Sequence, residues 1–483
     1  MNDFSAIDTQ WRELVYPAQH GNPTPSSRYH LVVIGAGPAG LIIAIAAARL
    51  GARVALIERH AMGGDCLNVG CVPSKTLLAA ANSGLDYGAA MRRVHEVRAA
   101  IAAHDSVARY RDAGVEVFLG HAAFVLGGDL RVTGPAGDVT LRGKHVVIAT
   151  GARAALPPIP GLGDLAPHTN ETIFDLPALP ARLAVLGAGP IGCELAQAFA
   201  RLGSQVTLIE MLPRVLANED PDASSLLAAA LRSDGVTLEL GRGVKSAAVR
   251  GGRKQLTLSD DRVIEADAVL IAAGRSRNID DLNLDAVGVR ADAALGVLVD
   301  HRLRTTNRRI YAAGDVCSRQ QFTHSADAQA RIIVRNTLFL GRARADQLII
   351  PWCTYTKPEV ARVGASRAEL TQRGVAFEVL RVAFGELDRG CTDDAADGFA
   401  EVLTNPGSDK LLGATIVGRD AGEQIGALLV LMNTGSGLSS LGSLVLPYPT
   451  RSEYLRRLVD AWNRKRLTPR NARLLRGWLR LSR

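Results

Sequence analysis

The stretch LVVIGAGPAGLIIAIAAARLGARVALIE (residues 31–58) occurs twice. Its second copy, LAVLGAGPIGCELAQAFARLGSQVTLIE, occupies residues 183–210, and the two agree at 17 of 28 positions without a gap. Each copy is an apolar run, then GxGxxG, then an Ala-rich stretch, then a second apolar run ending in Glu. That order predicts strand, tight turn, helix and strand. Gly35 and Gly187 permit the turn off the strand, Gly37 and Gly189 let the backbone approach a pyrophosphate, and Gly40 and Gly192 let helix and strand pack closely. The helix N-terminus then offers free N–H groups and its positive dipole end to phosphate. Glu58 and Glu210 end the second strands, where a carboxylate accepts from a ribose 2′-OH. A lone GxGxxG is weak evidence. Two copies in one setting predict an α/β chain with two Rossmann-like dinucleotide-binding domains.

Later segments distinguish the two sites. VVIATGA (146–152) and VLIAAGR (269–275) read as buried strands ending in small residues, where the chain crosses between nucleotide domains. RRIYAAGDV (308–316) reads as a strand delivering Gly314 and Asp315. A flavin's ribityl and phosphate region needs that pair: close backbone approach and one carboxylate acceptor. The natural assignment is a flavin in the first site and a nicotinamide in the second. Glu210 favours NADH over NADPH, because a carboxylate repels a 2′-phosphate; Arg214 nearby works against that preference.

Bulk properties bound the rest. A chain of 483 residues is too long for one core and implies two to four domains. Hydrophobic content of 47% and charged content of 22% are those of a soluble globular protein. The longest apolar run near the N-terminus is broken by Arg49, Gly51 and Arg53, so it is no membrane span. Residues 1–28 are polar, carry Pro23 and Pro25 and lack a signal-peptide core; they read as an N-terminal arm of a cytoplasmic protein. The segment from Arg464 to Arg483 holds eight Lys/Arg and no Asp/Glu, which accounts for the whole net charge of +8. The neutral body gives no electrostatic case for nucleic acid.

GGDCLNVGCVPSK (63–75) follows the second strand of the first copy. Cys66 and Cys71 could be a structural staple, a metal clip or a redox couple. Six cysteines in 483 residues do not make a disulfide scaffold. No second CxxC or His pair supplies zinc's remaining ligands, so no metal site is expected. VPSKTLLAAA reads as a helix with Pro73 in its first turn. Cys71 stands just before that helix, where the dipole favours a thiolate. Lys75, one turn on, can stabilise negative charge on a reduced flavin.

These motifs, in this order from about residue 29 to 465, resemble the class I flavoprotein disulfide reductases, which include dihydrolipoamide dehydrogenase, glutathione reductase and mercuric reductase. The resemblance implies an FAD domain (29–154 and 277–345), an inserted NAD(P)H domain (155–276) and a C-terminal α+β interface domain (346–462) in a homodimer with shared active sites. It implies that Cys71 is the charge-transfer thiol, that Cys66 is the interchange thiol, and that Lys75 pairs with Glu194. It also implies cofactor contacts at Gly35, Gly37, Pro38, Ala39, Gly40, Glu58, Arg59, Gly64 and Asp65, and again at Thr150, Gly151, Gly314 and Asp315. In the nicotinamide half the corresponding residues are Gly187, Gly189, Ile191, Glu194, Glu210 and Gly274.

The C-terminal segment departs from the best-known members. Lipoamide and glutathione reductases place a His five residues before a Glu, to protonate the leaving thiolate. In LPYPTRSEYLRRL, Glu453 is present and Tyr448 stands where the His is expected; no histidine follows His324. The Tyr and the YPT segment are those of a mercuric reductase-like branch, yet an N-terminal CxxC domain and a C-terminal Cys pair are not found. The expected acceptor is a small disulfide, a metal ion or a quinone-like compound. The rivals are a dihydrolipoamide dehydrogenase and a non-enzymatic flavoprotein redox sensor or complex subunit. Cys353 reads as lying on an interface strand, Cys391 in a loop, Cys193 and Cys317 as packing residues, and His324 as a helix cap. Phe174 to Pro180 reads as linker. In the basic tail (463–483), Leu474, Leu475, Trp478, Leu479 and Leu481 alternate with arginines, which suits weak contact with an anionic membrane surface.

Overall fold

The computed structural model describes residues 4–134, 137–339 and 341–482. Residues 4–28 carry more order than an arm: helix α1 (Ser5–Val15) lies within them. Trp11, Leu14 and Val15 pack on the first core, and Val15 is fully buried.

The first copy folds as its glycines require. Strand β1 (Tyr29–Ile34) leads into helix α2 (Pro38–Arg49) and strand β2 (Val54–Glu58). Helices α3 (Gly64–Asn68), α4 (Cys71–Asn82) and α5 (Tyr87–Ala102) follow, then strands β3 (Val115–Leu119) and β4 (Gly143–Ile148). The glycine at 35 has φ of +100°, and a Cβ there would lie 2.4 Å from the Ala149 carbonyl oxygen. At Gly40 a Cβ would lie 1.8 Å from the Gly35 oxygen. The chain's own packing demands both glycines.

The second copy repeats the pattern: strand β5 (Arg182–Leu186), helix α6 (Pro190–Arg201) and strand β6 (Gln205–Glu210). Strand β5 pairs in parallel with β6 and with β7 (Ala268–Ile271). Strand β8 (Ile310–Ala312) completes the first sheet, whose order is β8-β4-β1-β2-β3, all parallel. Such a sheet must be covered on both faces, and its strands are accordingly mostly apolar and buried. Helix α7 (Thr323–Leu338) packs beside α2 on one face. Three antiparallel strands, His121–Phe124, Leu130–Gly134 and Gly137–Leu141, supply Phe124, Leu130, Val132 and Leu141 to the core on the other.

The chain forms two compact units. One comprises Met1–Ala188, Leu195–Met211 and Arg242–Leu348; the other comprises Gly189–Glu194, Leu212–Gly241 and Ile349–Arg483. The second unit contains a five-stranded antiparallel sheet of β9 (Trp352–Thr354), β10 (Glu359–Gly364), β11 (Glu378–Ala383), β12 (Phe399–Thr404) and β13 (Leu411–Gly418), in the spatial order β9-β10-β13-β12-β11. A short helix α8 (Asp388–Thr392) lies between β11 and β12, so Cys391 is helical and not in a loop. Helices α9 (Ala421–Thr434) and α10 (Glu453–Arg466) supply Ile425, Leu428, Leu455, Leu458 and Trp462 to this core. Arg362 of β10 is fully buried and pairs with Glu219 at 3.2 Å, which also accepts from the Trp352 indole at 2.6 Å. The last helix, α11 (Pro469–Leu481), buries no residue.

Two smaller expectations resolve differently. The linker from Phe174 to Pro180 begins in a one-turn helix, Ile173–Asp175, with Phe174 buried. His324 lies in the first turn of α7, stacked on Phe322 with ring centroids 5.3 Å apart. The helix N-cap is Phe322, with no side-chain cap, so His324 is not the cap. Cys193 is buried as a packing residue, and burial pushes the Cys317 thiol up to about 12.

Candidate active site

The segment that carries Cys66 and Cys71 is a one-turn helix joined to a longer one. Gly63 and Gly64, at φ of +94° and +58°, turn the chain from β2 into α3, which carries Cys66. Gly70 is the N-cap of α4, and Cys71 is its first residue. Cys66 and Cys71 are both in the thiol form; Cys66 is half-buried and Cys71 exposed. Their side chains hydrogen-bond each other, and the neighbouring Cys71 sulfur, together with burial, holds the Cys66 thiol far above the usual range. The Thr323 hydroxyl, at the start of α7, lies 3.8 Å from the Cys71 sulfur. Lys75 stands one turn beyond Cys71, half-buried on the same helix.

The phosphate loops repeat each other in detail. Glu58 at the end of β2 accepts from the Ala36 N–H at 2.8 Å and the His60 N–H at 2.7 Å. Glu210 at the end of β6 accepts from the Ala188 N–H, also at 2.8 Å. Each acid thus holds the backbone of its own GxGxxG. The middle glycines behave unlike their neighbours. A Cβ on Gly37 would meet only the Gly64 Cα, at 3.8 Å, and one on Gly189 would meet nothing within 4 Å. The chain itself does not need glycine at these two positions. The space they leave, beside a helix N-terminus, fits a dinucleotide pyrophosphate. Pro38 and Ala39 open α2 behind that space, Arg59 is exposed just past Glu58, and Ile191 is partly exposed in the first turn of α6.

A charged cluster lies next to the Cys66–Cys71 segment. Arg275 pairs with Asp65, lies 3.7 Å from an Asp315 oxygen and donates to the Ala152 oxygen at 2.8 Å. Burial raises the Asp315 carboxyl, Arg275 opposes that, and Asp65 adds to it. The Gly314 N–H donates to Gln329 at 2.8 Å. Thr150 donates to the Asn278 oxygen at 2.6 Å, Asn278 returns a bond to the Thr150 oxygen at 2.9 Å, and the Gly151 oxygen accepts from the Asn278 N–H. Gly274 (φ +123°) passes its oxygen to the Ala155 N–H. These ties lock the crossing segments together.

In the second unit, Glu194 is buried and accepts from the Tyr355 N–H at 2.9 Å. Tyr448 is exposed and donates to Asp388 of α8. That carboxylate, with a smaller contribution from Glu453, raises the Tyr448 hydroxyl above its ordinary value. Glu453 opens α10, where one oxygen accepts from Arg457 at 3.0 Å. Its other oxygen is buried with no partner among the described residues. Cys353 lies on β9, as expected, 3.8 Å from Glu359.

Sequence reasoning had not found Thr323, Arg275, Asn170 and Asp388. Asn170 donates to Asp65 and to the Val69 oxygen of the Cys66–Cys71 segment. Each reaches its partner across at least 60 positions, with no local pattern to mark it.

Two nucleotide loops, a dithiol between them in sequence and an antiparallel C-terminal sheet define a flavoprotein oxidoreductase. The chain belongs to the pyridine nucleotide-disulphide oxidoreductase family: residues 29–330 match that family's model and residues 350–459 match its dimerisation domain. It is 33% identical over 448 residues to a mercuric reductase of Staphylococcus aureus, covering 89% of this chain and 81% of that one. It is 32% identical over 438 residues to the probable pyridine nucleotide-disulfide oxidoreductase RclA of Escherichia coli, covering 90% and 99%. A dihydrolipoyl dehydrogenase of Chlamydia muridarum is 31% identical over 446 residues, covering 88% and 95%. Among solved structures, the Cu(II) complex of the HOCl-induced flavoprotein disulfide reductase RclA from E. coli superposes with a TM-score of 0.84 at 30% identity, covering 90% and 99%. The protein is an FAD-dependent pyridine nucleotide-disulfide oxidoreductase, an enzyme of a family in which the homodimer is typical. That sets aside the non-enzymatic reading. No helix among the described residues is long and apolar enough to cross a membrane.

Proposed function

We propose that this enzyme draws electrons from NADH and delivers them through a Cys66–Cys71 disulfide to a small acceptor that needs no proton from a histidine: a soft metal ion or a quinone-like compound before a small disulfide. The observation that carries this reading is the Tyr448–Asp388 pair. A tyrosine whose hydroxyl is held protonated by a carboxylate can orient an acceptor but is a poor acid or base at neutral pH. The printed name of the mercuric reductase relatives fits a soft metal acceptor.

FAD, when bound, supplies the two-electron relay between nicotinamide and disulfide. Residues 29–154 and 277–345 hold it, residues 155–276 hold the nicotinamide dinucleotide, and residues 346–462 form the interface that brings Tyr448 and Glu453 to the partner's dithiol. Gly37 and Gly64 admit the pyrophosphate, Glu58 the ribose, and Asp315 the ribityl region. Lys75, one turn beyond Cys71, steadies negative charge near that thiol. Cys66 meets the acceptor, giving up its proton to bind it as thiolate; Cys71 then attacks the Cys66 sulfur, the disulfide re-forms and the electron pair leaves with the acceptor. The Glu453 oxygen without a partner is free to accept from a group across the interface. Glu210, fixed on the Ala188 N–H, disfavours a 2′-phosphate and so favours NADH.

An acceptor screen under NADH, covering Hg(II) and other soft metals, quinones, lipoamide and glutathione disulfide, tests the reading. Turnover that Cys66→Ser abolishes with a metal or quinone supports it. Turnover with every acceptor untouched by Cys66→Ser overturns the dithiol route, and lipoamide turnover at the level of a true dihydrolipoyl dehydrogenase overturns the choice of acceptor.

On this reading the enzyme works in the cytoplasm and touches the membrane surface through α11. At 100° per residue, Leu474, Leu475, Trp478, Leu479 and Leu481 fall within about 160° of arc, and Arg470, Arg473, Arg476 and Arg480 occupy the opposite side. All five apolar residues are exposed, Trp478 by 69%. Such a helix lies in an anionic interface. Full-length protein should pellet with phosphatidylglycerol vesicles in low salt, and a chain ending at Leu467 should not; equal pelleting would end the idea.

A further inference from the structure

The loop that carries Cys66 is built around one side chain, Asn68. Its Nδ2 donates to the Gly64 oxygen at 2.8 Å and the Met62 oxygen at 3.1 Å, and its Oδ1 accepts from Trp11 Nε1 at 3.0 Å. An indole nitrogen only donates, so Trp11 decides which end of the amide faces the loop. Arg98 of α5 lies over the Trp11 ring, 4.5 Å from its centroid. It donates to the Asn68 backbone carbonyl at 3.4 Å and to Asp8 at 2.8 Å, and Asp8 also bonds His95 at 2.6 Å. At the other end of the loop, the Met62 N–H donates to the Val15 oxygen at 3.1 Å. Helix α1 therefore grips segment 62–68 at both ends. Its Asp8, Trp11 and Val15 all precede residue 29, where the match to the family's model begins. Helix α3 is a single turn without a side-chain cap, and a single turn does not hold itself in water.

We propose that α1 is a brace that sets the redox equilibrium of the Cys66–Cys71 couple, with Trp11 and Asp8 as positioning residues acting through Asn68. The proposal rests on the reading of that pair as the redox couple. Closing the disulfide costs the entropy of bringing one sulfur to the other. A loop anchored at both ends keeps Cys66 beside Cys71 while both are thiols, so little of that entropy remains to be lost. Releasing an anchor spreads Cys66 over more positions and shifts the equilibrium toward the dithiol.

The test equilibrates full-length, FAD-loaded protein with mixtures of reduced and oxidised dithiothreitol, quenches with acid and counts alkylated thiols by mass. In that exchange the protein disulfide and one reduced dithiothreitol give two protein thiols and one oxidised dithiothreitol. Trp11→Phe keeps the ring under Arg98 and removes only the N–H; Asp8→Asn loosens Arg98. Each should shift the constant about tenfold toward the dithiol, about 30 mV for a two-electron couple. Glu13→Gln, on the exposed side of α1, should leave it unmoved. An unchanged constant in both variants, with or without a lower melting temperature, makes α1 an ordinary stabilising helix and overturns the proposal. A parent protein that forms no Cys66–Cys71 disulfide at all overturns the redox reading itself.

Discussion

Gly37→Ala separates what the fold needs from what the cofactor needs. Gly37 is the N-cap of α2 with φ of −77°, a conformation alanine adopts freely, and the nearest atom to a new Cβ is 3.8 Å away. The apoprotein should lose about 1 kcal/mol or less, the ordinary difference between Gly and Ala at an N-cap. A methyl group there occupies the space beside the free N–H groups of the helix. Each charge-assisted hydrogen bond to phosphate that it lengthens past contact costs about 1.5–3 kcal/mol. At 1.4 kcal/mol per decade, one lost bond weakens FAD binding roughly 10- to 150-fold. Gly40→Ala is the contrast, because its Cβ would sit 1.8 Å from the Gly35 oxygen and must break the turn. Apoprotein prepared by acid ammonium sulfate would be titrated with FAD by flavin fluorescence quenching, and its melting followed by circular dichroism. Gly37→Ala should melt near the parent and bind FAD weakly; Gly40→Ala should fail in both. FAD affinity within threefold of the parent in Gly37→Ala would refute the assignment of that space to the pyrophosphate.

Glu58→Gln should weaken FAD binding roughly tenfold and leave the KM for NADH unchanged, because an amide cannot accept from both Ala36 and His60 N–H groups. Asp388→Asn should bring the Tyr448 hydroxyl back down toward its ordinary value of 10.0. The sign follows from the shift: Asp388 favours the protonated tyrosine, so any step that uses its O–H persists to higher pH in the parent and fails at lower pH in the variant. A near-ultraviolet tyrosinate titration, read against a Tyr448→Phe control, checks it. Arg362→Met leaves Glu219 buried without its cation and should destabilise the second unit by about 3–5 kcal/mol. Denaturant unfolding followed by Trp352 fluorescence measures the loss, and adding Glu219→Gln should restore part of it.

The two nucleotide units were legible because their requirements are local. A turn that needs glycine, an apolar run buried on both faces and an acid at its end all lie within 28 residues. The spacing of Cys66, Cys71 and Lys75 was legible for the same reason. The surroundings of that pair were not. Thr323 meets Cys71 across 252 positions and Arg275 meets Asp65 across 210, contacts that only the parallel topology creates. Helix α1 is a different case. Ile7, Trp11, Leu14 and Val15 stand at helical spacing, so a signal was present, but Pro23, Pro25 and the polar residues around them made the whole segment read as an arm. Asp388 lies on a helix too short to leave a periodic pattern, which hid the acceptor that holds Tyr448.

Glu58 and Glu210 reach across 22 positions to the same atom in their respective loops. The bend that receives a dinucleotide is therefore already set in the protein alone, and binding need not teach the backbone its shape. For a coenzyme that must arrive and depart at every turnover, that is a kinetic advantage: the receptor returns to readiness without refolding. For a flavin that stays, the same bond means that a newly made chain can fold first and be charged afterwards.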